Sequence, residues 1–100
     1  MQDAYFIVRK PKTREIMLTL EERDGQSANE IVSKIGSKTT TFYRIKDLVA
    51  MGFLRRLVQQ DANRTTVYFL TPNGRKWVRA LHFLTEVGKE ADIENRGESQ

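Results

Sequence analysis

One hundred residues, 39% of them apolar and 30% charged, suffice for one modest core and hence one domain over residues 1–100. No cysteine is present, which excludes disulfides, zinc ribbons and thiol chemistry. The longest apolar runs, of about four residues, are far too short to span a membrane. The net charge of +4 is unevenly placed: residues 1–30 carry −1, residues 31–80 carry +8 and residues 81–100 carry −3. The middle of the chain is therefore the expected footprint for a polyanion.

Residues 1–10 contain Tyr5-Phe6-Ile7-Val8 and then Arg9-Lys10-Pro11, compatible with either a strand or an N-terminal arm. Residues 12–23 read as a helix with Thr13 as its cap, Ile16, Met17 and Leu20 on one face, and Asp24-Gly25 as its stop. Ser27-Ala28-Asn29-Glu30 is a capping box, in which the Ser27 hydroxyl and the Glu30 carboxylate each accept from the other residue's amide. The short helix it opens buries Ile31, Val32 and Ile35 and ends at Gly36. After a tight turn, Ser37 is the expected cap of a third helix, Lys38 to about Met51, with Phe42, Ile45, Leu48 and Val49 facing a core and Gly52 closing its end.

Residues 53–60 and 65–70 read as two strands, the second rich in β-branched and aromatic side chains. Asp61-Ala62-Asn63-Arg64 supplies the turn between them. Thr71 at N-cap and Pro72 at N1 open a last helix over about 72–90. The polar, acidic residues 92–100 read as a flexible tail.

This order is that of an α+β winged helix-turn-helix: a three-helix core, a two-stranded β-hairpin wing over about 53–70, and a C-terminal dimerisation helix. In such a unit the second helix enters the major groove and presents its N-terminal residues to base edges. With the apolar stripe inward, the outer face of the recognition helix, about 38–51, carries Thr39, Thr40, Tyr43, Lys46, Asp47 and Ala50, flanked by Lys38 and Arg44. Lys38, Thr39, Thr40, Tyr43, Arg44 and Lys46 are thus expected DNA contacts. So are Arg55 and Arg56 at the base of the hairpin, and Asn63 and Arg64 at its tip, where an arginine suits a narrow minor groove. In the last helix Trp77, Val78, Leu81, Leu84 and Val87 recur at helical spacing, and Ala80 and Phe83 widen the stripe. A two-fold dimer through this helix is expected, with its recognition helices about 34 Å apart.

The stretch Ser27 to Arg75 resembles the DNA-binding core of MarR-type winged-helix regulators, with relatives among the PadR and ArsR types. Ser37-Lys38-Thr39-Thr40-Thr41-Phe42 is similar to the family's Ser-x-x-Thr-Val start of the recognition helix. Leu48-Val49-Ala50-Met51-Gly52-Phe53-Leu54 is similar to its Leu-x-x-x-Gly-Leu-Ile exit into the wing. Asp61-Ala62-Asn63-Arg64 is similar to its Asp-x-Arg wing tip with one residue more, and Leu70-Thr71-Pro72-Asn73-Gly74 matches its Leu-Thr-x-x-Gly helix start. The resemblance implies a DNA-binding transcriptional regulator. A full N-terminal helix is missing, which departs from the MarR-type effector pocket between two domains. In size the chain resembles the small winged-helix proteins of archaea and their viruses.

The residues give no catalytic constellation: no thiol, no glycine-rich phosphate loop, and one histidine, His82, expected to serve helix packing or the dimer interface. No metal ligand set and no cofactor are expected. The start Met1-Gln2-Asp3 lacks the features of a signal peptide, so the expected place is the cytoplasm, on the nucleoid or in a host cell. The expected partners are double-stranded DNA and a second copy, with no membrane and with any small effector left open. Two alternatives remain at this point: a sequence-independent architectural DNA-binding protein, and a winged-helix protein-interaction module of transcription machinery.

Overall fold

A computed structural model describes residues 9–98, with side chains through residue 91. The apolar patch Tyr5 to Val8 lies outside the described residues. Six elements follow in chain order: α1 (Thr13–Glu22), α2 (Ala28–Ile35), α3 (Lys38–Ala50), β1 (Leu54–Val58), β2 (Thr66–Leu70) and α4 (Pro72–Glu98). This is the winged helix-turn-helix expected from the pattern, with α2 and α3 as the helix-turn-helix and the β1–β2 hairpin as the wing.

Helix α1 buries Ile16, Met17 and Leu20 completely. Thr13 is not its cap. Lys12 holds that place in a left-handed conformation, φ 69°, and makes no side-chain cap bond, while Thr13 is a buried residue of the helix itself. The left-handed turn at Lys12 already starts the helix, because its carbonyl accepts the Ile16 amide at 3.0 Å. At the other end Arg23 is the cap, and Gly25 serves a different contact from the one expected. The Gly25 and Gln26 amides both donate to the Tyr68 carbonyl, at 3.0 and 3.3 Å, and Tyr68 donates back to Gln26 at 2.8 Å. The loop after α1 thereby adds a bridge to β2. Gly25 has φ 75°, a backbone conformation that favours glycine, and a Cβ there would lie 3.0 Å from the Phe69 ring, which would have to give way.

The capping box of α2 is present in full, with both bonds at 3.1 Å. The link to α3 is Gly36, φ 77°, and Ser37, φ 53°. Ser37 makes no side-chain cap bond, contrary to expectation. A hydroxyl reaches the first helical amides from an extended N-cap residue, and the tight link forces Ser37 left-handed instead. The Thr41 hydroxyl ties the turn together by donating to the Gly36 carbonyl at 2.8 Å.

Strands β1 and β2 are antiparallel in the register Leu54↔Leu70, Arg56↔Tyr68, Val58↔Thr66. Thr71 caps α4 as the sequence implies, accepting from the Gly74 amide at 3.0 Å. Its hydroxyl also donates to the Gly52 carbonyl at 2.6 Å, which pins the start of α4 to the end of α3. Helix α4 continues to Glu98, further than the expected 90. The core joins Ile16, Met17, Leu20, Ile31, Ile45, Leu48, Leu54, Leu70 and Val78, so every element contributes. Asp24 locks the wing base to α4: one oxygen accepts the Leu70 amide at 2.9 Å and the other accepts Arg75 at 2.6 Å. Among the described residues no helix is long and apolar enough to cross a membrane.

Candidate nucleic-acid interface

Helix α3 turns Thr41, Ile45 and Leu48 into the core, which fixes what faces outward. Lys38, Thr39 and Lys46 are exposed and Thr40 is half-buried. Tyr43 is 65% exposed and forms no side-chain hydrogen bond to a described residue. Most of this large aromatic is therefore open to a partner. The Lys38 ammonium stands 5.9 Å from the Phe42 ring, a cation–π distance that holds the charge at the start of the helix.

Between α3 and the wing runs a groove of about 510 Å³, walled by Phe42, Lys46, Val49 and Ala50 on one side and by Arg56 and Tyr68 on the other. Arg56 and Tyr68 are cross-strand partners, so the sheet register places the arginine opposite the recognition helix. Neither Lys46 nor Arg56 has an acidic partner among the described residues, and their like charges add across the groove. Arg55 is not part of this arrangement. Successive strand residues point to opposite faces, and its guanidinium lies 5.1 Å from the Phe69 ring. The pair read together from the sequence is split by the sheet.

Asn63 and Arg64 are exposed at the wing tip. Arg64 is left-handed, φ 49°. The turn is closed by the Arg64 amide donating to the Asp61 carbonyl at 3.2 Å and by the Thr65 amide donating to the Asp61 carboxylate at 3.1 Å. That Thr65 amide is the main cause holding the Asp61 carboxyl below its usual range. Asp61 thus shapes the backbone of the tip and leaves the Arg64 guanidinium free for a ligand. A second groove, about 360 Å³, opens where Ser27 and Asn29 at the start of α2 face Thr65 and Thr66 of the wing. No local sequence pattern signals it, because a long-range bridge from Gln26 to Tyr68 brings β2 beside the start of α2. At the same end of α2 the Ser27 amide, and next the Arg23 side chain, hold the Glu30 carboxyl below its usual range.

Two expected contact residues are corrected. Arg44 is buried, not a flank of the outer face: its side chain is 11% exposed, Nε donates to the Pro11 carbonyl at 2.9 Å, and Nη1 pairs with Asp47 at 2.5 Å. Its Nε donor is taken by a segment 33 residues away. Val78 is 1% exposed and belongs to the core, so it is not available to a partner. Trp77 and Leu81 are half-buried, and Trp77 packs against the core cluster. Leu84 and Val87 are exposed, joined by Phe83 at 68%. His82 is exposed and bonds Glu21 at 2.8 Å, which ties α4 to α1. Among the described residues no group of three or more His, Cys, Asp or Glu side chains is placed to hold a metal ion.

No family model and no curated protein sequence matches the chain. Solved structures do. A possible HxlR family transcriptional factor from Thermoplasma volcanium GSS1 is 28% identical, with a TM-score of 0.74 over 92% of this chain and 84% of that one. A variant of MepR from S. aureus bound to an oligodeoxyribonucleotide is 18% identical, with a TM-score of 0.73 over 84% of this chain and 63% of that one. The reduced form of the transcriptional regulator YodB from B. subtilis is 18% identical, with a TM-score of 0.73 over 86% and 90%. The chain spans less than two thirds of the length of the MepR structures it matches. Its structural neighbours are MarR- and HxlR-family winged-helix transcription regulators, not enzymes.

Proposed function

We propose that the chain binds double-stranded DNA and regulates transcription as a homodimer in the cytoplasm, laying α3 in the major groove and its wing tip in the adjacent minor groove. The observation that carries this reading is the outer face of α3. Thr39, Tyr43 and Lys46 stand clear of the core there, and Arg56 faces Lys46 across the wing groove. Hydroxyls, a solvent-exposed ring and unpaired cations on the second helix of a helix-turn-helix are the groups that contact bases and phosphates. The MepR neighbour bound to an oligodeoxyribonucleotide has the same fold, which favours DNA over a protein partner. Lys38, Thr40, Asn63 and Arg64 complete the proposed contact set, and Arg44 and Arg55 leave it.

The dimer reading rests on α4. At about 100° per residue, Val78 marks the side that packs on the core, while Phe83, Leu84 and Val87 fall on the opposite side of the helix, which stays exposed among the described residues. An uncovered apolar arc on a long helix suits a second copy related by a two-fold axis.

Selection of binding sites from random duplexes at physiological salt tests the reading. A regulator enriches one sequence, preferring it by about 10³-fold or more over random DNA. Equal retention of every sequence would establish an architectural protein, and no retention would leave an interaction module.

A further inference from the structure

We propose that Asp47 is a base-reading residue, accepting a hydrogen bond from the exocyclic amine of a cytosine, and that Arg44 positions it. The proposal rests on the reading of α3 as the recognition helix and adds a specific preference to it. In the +8 stretch of residues 31–80 only two acidic residues occur, Asp47 and Asp61. Asp61 organises the wing turn through the Thr65 amide. Asp47 is the one acid on α3, and it lies one turn after Tyr43 on the same side of the helix. A carboxylate there repels phosphates, so it opposes sequence-independent binding.

The geometry gives that carboxylate a fixed aim. Oδ2 is taken by Arg44 Nη1 at 2.5 Å, and Arg44 is in turn anchored by Nε on the Pro11 carbonyl at 2.9 Å. Oδ1 forms no hydrogen bond to a described residue. The side chain of Asp47 is 41% exposed, against 11% for Arg44. Asp47 thus stays partly exposed, on the side of the helix that carries Tyr43. Arg44 also lowers the repulsion that the carboxylate would feel from phosphates. In the major groove the amino donors belong to cytosine and adenine. Adenine sets an acceptor, N7, beside its amine, whereas cytosine sets a C5–H there, so a carboxylate favours cytosine.

Binding-site selection with four proteins tests this: the unaltered chain, Asp47→Ala, Asp47→Asn and Arg44→Lys. The unaltered chain is expected to select one position as cytosine. Asp47→Ala loses about fivefold of preference at that position alone, the low end for a single base contact. Asp47→Asn moves the position toward adenine, whose N6 and N7 match an amide. Arg44→Lys weakens the same position and leaves the others intact, whereas a merely structural arginine would blur all positions alike. Circular dichroism confirms that each variant is folded. If the unaltered chain enriches a site and Asp47→Ala enriches the same bases at every position, the proposal is wrong while the DNA reading stands. If the unaltered chain enriches nothing, the reading of α3 as a base-reading helix fails and takes this proposal with it.

Discussion

Replacing Gly74 by alanine tests how α4 is seated. A Cβ at this position would lie 2.2 Å from the Phe53 carbonyl oxygen and 3.4 Å from Leu70 Cδ2. The first distance is far inside contact, and the opposing atom is backbone, which yields little. The same carbonyl accepts the Thr71 amide at 3.1 Å, so moving it strains the cap of α4 and the exit from α3 together. Strain of this kind costs about 1–3 kcal/mol, and a weakened backbone hydrogen bond adds about 1 kcal/mol. The better helix propensity of alanine returns about 1 kcal/mol. The net loss of about 1–3 kcal/mol corresponds to a fall in Tm of about 5–20 °C for a domain of this size. Gly88, further along the same helix, has nothing within 4 Å of its would-be Cβ. Gly88→Ala is therefore expected to gain up to about 1 kcal/mol. Thermal melts followed by circular dichroism read both. A Gly74→Ala protein that melts at or above the unaltered chain would refute the seating described.

Glu30→Gln reports on the capping box by its pH dependence. The Ser27 amide, and then Arg23, lower the Glu30 carboxyl, so its stabilisation is complete above the ordinary glutamate range and fades as pH falls through the lowered value. The variant should melt below the unaltered chain at neutral pH and converge with it in acid; a deficit independent of pH would contradict the assignment. Leu84→Glu should leave a folded monomer in sedimentation, since this side chain is 60% exposed in the single chain, and persistence of a dimer would place the interface elsewhere. Arg64→Ala should weaken binding to all duplexes and reduce the salt slope by about two, one contact being lost from each protomer. Tyr43→Ala should instead broaden the selected site, and a uniform loss on every sequence would argue against base contact by Tyr43.

Periodicity and capping chemistry made most of the fold legible. The Ser27–Glu30 box, the Thr71-Pro72 helix start and the β-branched run before it each depend on neighbours within a few residues, and each appears in the structure. What escaped was set by distant partners. Arg44 reads as a surface cation until Pro11, 33 residues earlier, supplies a carbonyl for it. Arg55 and Arg56 look equivalent until the sheet register sends one to Phe69 and the other to the α3 groove. Val78 shares helical spacing with Leu81 and Leu84, and only the docking of α4 decides which of them the core takes. Ser37 has the right side chain for a cap and the wrong backbone, because the link between α2 and α3 leaves no room for an extended residue.

The most direct test of DNA binding through α3 and the wing is the affinity for the selected duplex, measured by fluorescence anisotropy across a range of salt. With Lys38, Lys46, Arg56 and Arg64 from each of two protomers on phosphates, log K should fall against log salt with a slope of about −7. An affinity that does not change with salt would contradict the account.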